Sequence, residues 1–226
     1  MPVPVPTAAV ALAALAVTLE FIGYLTRIAG APHAIAQPLS MDAPFSVARM
    51  FVAALFATAA GTAGLGASRQ PGRRTWWTAV AVVAAGIATV KAGGTIHARV
   101  LHALAGGDPV RGLLISIPMA LGAAGWLWWL SRHERRDRRR VLSCLVGYAG
   151  ASVGLSFISS VAGQFAGSYG TATATFVEES GEALAGVAFL VAVVVGVAPH
   201  LVFPRAALRR ASDRRASDRR AVPTGS

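Results

Sequence analysis

The chain has 226 residues, 54% of them hydrophobic and only 14% charged, with a formal net charge of +11 and a mean hydropathy of +0.56. A soluble domain carries about 25% charged residues, so this composition excludes an ordinary water-soluble globule. The basic balance would suggest nucleic acid in a soluble protein, but here the basic residues lie between and after long apolar runs, where they set membrane topology; no nucleic-acid partner is expected.

Six apolar stretches follow one another at about 7–28, 45–66, 76–98, 110–130, 141–163 and 176–203. Each is long enough to cross a hydrocarbon core of ~30 Å, which takes about 20 residues. The first could be mistaken for a secretory leader. However, Met1-Pro2-Val3-Pro4-Val5-Pro6 has no basic residue, Glu20 interrupts the apolar run, and Ala34-Ile35-Ala36 lies too far downstream to be its cleavage site. The stretch reads as a first helix. Pro32, Pro38 and Pro44 punctuate the first connection, Gln70-Pro71-Gly72 the second and Gly106-Gly107-Asp108-Pro109 the third. Small residues recur within the stretches, as in Gly61-Thr62-Ala63-Gly64. In lipid such residues let helix backbones approach closely. The single Cys144 sits inside an apolar run, which rules out an intramolecular disulfide and any cysteine-based metal site.

Arginine sets the orientation. Twenty of the 21 basic residues are Arg, and Lys91 is the only lysine. With six spans, the arginines of 69–74, 131–140 and 205–220 number 16 and share one side; Arg27, Arg49, Arg99 and Arg111 fall on the other. Arginine-rich connections stay in the cytoplasm, so both termini are expected there. Trp76, Trp77, Trp126, Trp128 and Trp129 are then expected at the cytoplasmic interface, where indoles prefer to lie. The sequence thus divides into a six-helix transmembrane domain over 1–204 and a basic tail over 205–226. The tail repeats Arg-Arg-Ala-Ser-Asp and is expected to be disordered. Anionic lipid headgroups are its expected partner, at about 1 kcal/mol per basic residue near the surface. Ser212 and Ser217 stand in a context where phosphorylation would weaken that attachment.

Charges inside spans are rare and mark pathways, relays or ligand sites. Here they gather in the outer half: Glu20 in helix 1, Lys91 in helix 3, and Glu178, Glu179 and Glu182 at the start of helix 6. His97 and Arg99 close helix 3 on that side, Arg49 opens helix 2, and Ser156, Ser159, Ser160 and Gln164 of helix 5 approach the same level. Glu20, Tyr24 and Arg27 share a helix face by their i, i+4, i+7 spacing. Glu178 and Glu182 share another, from which Glu179 is rotated by about 100°. Two carboxylates beside a His and a Lys can bind a cation, relay protons or act as acid and base. A plainer reading stands beside it: Thr175 to Glu178 fits a capping box at a helix start, and Lys91 pairs with Glu20, Glu178 or Glu182 to neutralise charge in lipid.

Two segments carry a family resemblance. They are similar to those of a group of uncharacterised bacterial multi-pass membrane proteins, with one helix reading L-D-E-x-x-x-L-H-E and a final helix reading E-E-x-x-E-x-x-G. Glu178-Glu179-Ser180-Gly181-Glu182, with Gly186 beyond it, matches the second, and Val90-Lys91-Ala92-Gly93-Gly94-Thr95-Ile96-His97-Ala98 stands at the first. There His97 matches, while Lys91, Ala92 and Ala98 replace three carboxylates. The group's carboxylates and His resemble a metal-ligand set, so the resemblance implies an internal ion pair here in place of a metal.

The expectation is therefore an all-α polytopic protein of the cell membrane, with about six spans and both termini inside. Its polar pocket, formed by Glu20, Lys91, His97, Glu178, Glu179 and Glu182, opens outward and binds or conducts a small solute, ion or proton. The alternatives are a membrane-embedded hydrolase using His97 and the helix 6 carboxylates, or a purely structural or partner-binding protein. No nucleophile elbow, HExxH or P-loop is present to favour an enzyme, and the sequence names no cofactor.

Overall fold

The fold comes from a computed structural model that describes residues 7–95, 99–100, 103–104, 106, 109–132, 135–155 and 167–199. His97, Ser156, Ser159, Ser160, Gln164, Ser212, Ser217 and the tail over 205–226 lie outside the described residues.

Among the described residues all regular structure is helical, as the composition leads one to expect. The helices are α1 (Thr7–Ile28), α2 (His33–Leu39), α3 (Val47–Arg69), α4 (Arg74–Lys91), α5 (Pro109–Leu130), α6 (Arg135–Ala149) and α7 (Gly167–Val197). A 3₁₀ turn, Pro71–Arg73, joins α3 to α4, and α6 runs on into a π-helical stretch, Gly150–Leu155.

Among the described residues three helices are long and apolar enough to cross a membrane: α1, α3 and α7, of 22, 23 and 31 residues. The other expected spans are shorter in apolar length, for visible reasons. Helix α4 stops after 18 residues at Lys91, where Ala92 and Gly93 turn the chain. Gly93 has φ +109, a conformation that favours a residue without a Cβ. In α5 the apolar helix is Ile117–Leu130, with Pro118 inside it. Helix α6 opens on Arg135-Arg136-Asp137-Arg138-Arg139-Arg140, so fewer than half of its 15 residues remain apolar enough for a hydrocarbon layer.

Helices α3 and α7 run in the same sense, with Gly66 near the end of α3 against Val197 at the end of α7. Helix α3 lies against α4, α7 and α1; α7 also packs on α1 and α6, and α5 closes one flank against α6 and α4. The core runs through Phe56, Trp77, Val80, Leu127, Val141, Phe189 and Val193, all fully buried. Phe56 meets Phe189 at 5.3 Å and Tyr148 at 4.9 Å between ring centroids. Small residues set the spacing: Ala59 and Ala63 of α3, Ala84 of α4 and Ala183 of α7 have no exposed surface. Large apolar side chains such as Leu15, Phe21, Ile117 and Leu121 instead point outward, as on a lipid-facing surface.

The tryptophans divide. Trp126, Trp128 and Trp129 are exposed, but Trp76 and Trp77 are buried in the helix bundle. The Trp77 indole fills the space left by two glycines, since a Cβ at Gly66 would stand 3.3 Å from its ring and one at Gly196 only 2.5 Å. Its Nε1 donates to Gln70 Oε1 at 3.2 Å, so the polar atom of this buried ring is satisfied.

Contacts between helix ends fix which termini lie together. At one end Arg73 pairs closely with Asp137, joining the start of α4 to the start of α6. Arg138 lies 4.0 Å from the centroid of Trp128 there, a cation–π distance. At the other end Arg49, near the start of α3, reaches the last carbonyls of α4.

Candidate functional site: a lysine among buried carboxylates

The site forms where four helices bring charge to one level. Lys91 is the last residue of α4, where a cation also meets the negative end of the helix dipole. Helix α7 faces it with Glu179 and Glu182, three residues apart and hence on one helical face. The relative exposures are 4% for Lys91, 6% for Glu179, 2% for Glu182 and 1% for Glu20 of α1. Four ionisable side chains are thus withdrawn from the surface together.

Lys91 Nζ lies 2.7 Å from Glu179 Oε2 and makes a second close ion pair with Glu182. Glu20 faces the same group: Lys91, Glu179, Glu182 and Arg49 all act on its carboxyl, and its Oε2 is buried with no hydrogen-bond donor against it among the described residues. The Arg49 guanidinium ties the rim together. Its Nε donates to Lys91 O at 3.2 Å, Nη2 to Val90 O at 3.3 Å and Nη1 to Asp42 O at 3.2 Å. The first two bonds reach carbonyls at the end of α4, where the i+4 amides of the helix have run out, and the third ties in the connection before α3 at Asp42. From α6 the phenol of Tyr148 is directed at Glu182. Three carboxylates therefore meet one ammonium, with one guanidinium at the edge.

The expected site residues are only partly gathered here. Glu20, Lys91, Glu179 and Glu182 come together; His97 lies outside the described residues. Glu178 is half-buried and is not one of the two ion-pair partners of Lys91. Lys91 thus takes Glu182 as expected, and Glu179 in place of Glu178. The capping-box reading fails. Helix α7 begins at Gly167, eight residues before Thr175, whose hydroxyl bonds back to Thr171 O at 3.0 Å within the helix. Glu20, Tyr24 and Arg27 share a face but part company: Tyr24 meets Thr173 of α7 at 3.3 Å, and Arg27 pairs with Asp42 at 3.1 Å in an exposed bridge.

Sequence reasoning missed Tyr148 altogether and gave Arg49 no partner. Its misreading of the α7 face was avoidable. Ala172, Glu179, Ala183, Gly186 and Val193 recur at helical spacing, and all are buried. A stripe of small residues on that face marks the packed side, and Glu179 lies on it.

A sequence model of one protein family matches residues 7–197, the whole helical body described above. The chain belongs to the family described as Domain of unknown function (DUF8692). The family is uncharacterised, as the resemblance implied; the match itself speaks neither to the two motifs nor to a bacterial source. No curated protein and no solved structure matches the chain.

Proposed function

We propose that this member of the DUF8692 family is a six-span protein of the cell membrane, with both termini in the cytoplasm. Its cluster of Glu20, Lys91, Glu179 and Glu182 would bind or pass a small ion, proton or solute reached from the arginine-poor side. One observation carries the reading: among the described residues the charge gathered at the cluster does not balance. Three carboxylates against Lys91 and Arg49 leave a negative deficit, and an uncompensated charge in a span costs about 2.5–3.5 kcal/mol on insertion scales. A purely structural ion-pair network needs no such excess, since equal numbers of carboxylates and cations would lock the helices as well. A site that takes up a positive species needs it.

Purified protein in sealed vesicles with a trapped pH dye, under imposed Na⁺, K⁺ or proton gradients, tests this. Wild-type protein is expected to dissipate at least one gradient about tenfold faster than protein-free vesicles, and Glu182→Gln to lose most of that. Wild-type vesicles no leakier than empty ones under every gradient would sink the conducting reading.

A further inference from the structure

Of the four buried side chains, Glu20 has the least to hold it. Glu179 and Glu182 both reach the Lys91 ammonium directly. Glu20 is only 1% exposed, and among the described residues its Oε2 is without a hydrogen-bond donor. A buried carboxylate anion is stable when several donors converge on it, and it is costly otherwise.

The groups facing Glu20 come from every helix around it. Helix α7 supplies the carboxylates Glu179 and Glu182, α4 supplies Lys91 and α3 supplies Arg49. The only titratable residue of α2 is His33, which is exposed, and Tyr148 of α6 faces Glu182. Two of the four are negative, and both cations are already committed, Lys91 to α7 and Arg49 to backbone carbonyls.

A missing positive charge can be a metal ion or a proton, and the geometry separates them. A hard metal ion needs an oxygen cage of six or more ligands. Among the described residues no three His, Cys, Asp or Glu side chains converge closely enough to hold one, and the Lys91 ammonium occupies the place between the α7 carboxylates. A proton needs a single oxygen.

Resting on the reading of this cluster as an ion- or proton-handling site, we propose that its ligand is a proton, carried by the Glu20 carboxyl and exchanged with the medium. On release the O–H bond at Glu20 breaks, its electron pair stays on the carboxylate and the proton leaves to water. The new anion then faces Glu179 and Glu182. An ammonium has three donors and the α7 carboxylates take two, so Lys91 is the group able to turn a third toward Glu20. Proton release at α1 is thereby coupled to the grip of α4 on α7.

Infrared difference spectra of the full-length protein in lipid nanodiscs, taken between acid and alkaline buffer in H₂O and in D₂O, test the assignment. The expected result is a carboxylic C=O band that titrates and shifts in D₂O. It should vanish in Glu20→Gln, move in Glu20→Asp, and persist in Glu178→Gln. Wild-type protein with no titrating C=O band overturns the proposal whether or not any variant folds. A band lost in Glu179→Gln or Glu182→Gln but kept in Glu20→Gln overturns it too, placing the proton on α7. The vesicle assay fails separately: gradients dissipated without the band would leave the ion-handling reading standing and remove the proton, while the band without flux would leave a protonated Glu20 in a protein that conducts nothing.

Discussion

Lys91 is the hinge of the cluster's energetics, because it is buried with two carboxylates against it. Removing one member of a buried ion pair leaves the other uncompensated, typically at a cost of about 3–5 kcal/mol. Lys91→Met is therefore expected to lower the thermal midpoint in detergent sharply. Adding Glu179→Gln or Glu182→Gln to it should recover part of the loss, whereas adding Glu178→Gln should be additive. Double-mutant cycles read this directly, since groups in contact couple by about 0.5–3 kcal/mol and distant ones do not. A cycle in which Glu178 couples to Lys91 as strongly as Glu179 does would contradict the pairing seen here. That the charged residues of the spans gather at one level was legible in the sequence, because charge in an apolar run stands out. Which of three neighbouring glutamates meets the lysine was not. That depends on helix rotation, and rotation is set by where α7 begins and which face carries its small residues. Tyr148 escaped notice because an aromatic residue in a span looks apolar until a carboxylate is found opposite it.

Among the helices, α3, α4 and α7 are locked by interdigitation of rings and glycines. Trp77 occupies the gap opposite Gly196, where a Cβ would stand 2.5 Å from the indole and 3.6 Å from Asp137 Cγ. Gly196→Ala should thus push the ring or open the helix pair, at about 1–3 kcal/mol for overpacking of a well-packed interior. Gly61 on α3 has nothing within 4 Å of its added Cβ. Gly61→Ala is expected to be neutral or to stabilise by up to about 1 kcal/mol through helix propensity alone. Melting curves of the two variants in one detergent compare them; equal midpoints would show that Trp77 is not so confined. Helix existence was the most legible feature of all: the expected bounds of α1 coincide with the observed Thr7–Ile28, and α3 differs by a few residues. The stops were harder. Helix α4 ends at Lys91 although apolar and small residues continue, because Gly93 and Gly94 permit a turn that hydropathy does not register.

For the molecule as a whole, the arginine-rich ends tell the same story as the contacts. Arg69, Arg73, Arg74, Arg132 and Arg138 belong to the ends of α3, α4, α5 and α6 that the Arg73–Asp137 pair brings together, while the lysine cluster lies toward the opposite end. Reporter fusions after Arg74, Arg140 and Arg220 are expected to read cytoplasmic, and fusions near Gln37 and Gly107 to read external. One reversed reporter would be enough to reject the six-span arrangement.

The length of α7 has a consequence of its own. At 1.5 Å per residue its 31 residues make a rod of about 46 Å, against ~30 Å of hydrocarbon. Tilt cannot absorb the difference, because matching those two lengths would need a lean of about 50°, beyond the range of about 0–40° that spanning helices adopt. Helices α1 and α3, at 22 and 23 residues, fit the slab with little to spare. So in a bilayer this mast must overrun the hydrocarbon, and its first turn from Gly167, with the exposed ring of Tyr169, is placed to do so, just past the level where Tyr24 of α1 meets Thr173. Any thinning or thickening of the surrounding bilayer shifts where along that mast the waterline falls, and with it the depth at which Glu179 and Glu182 sit.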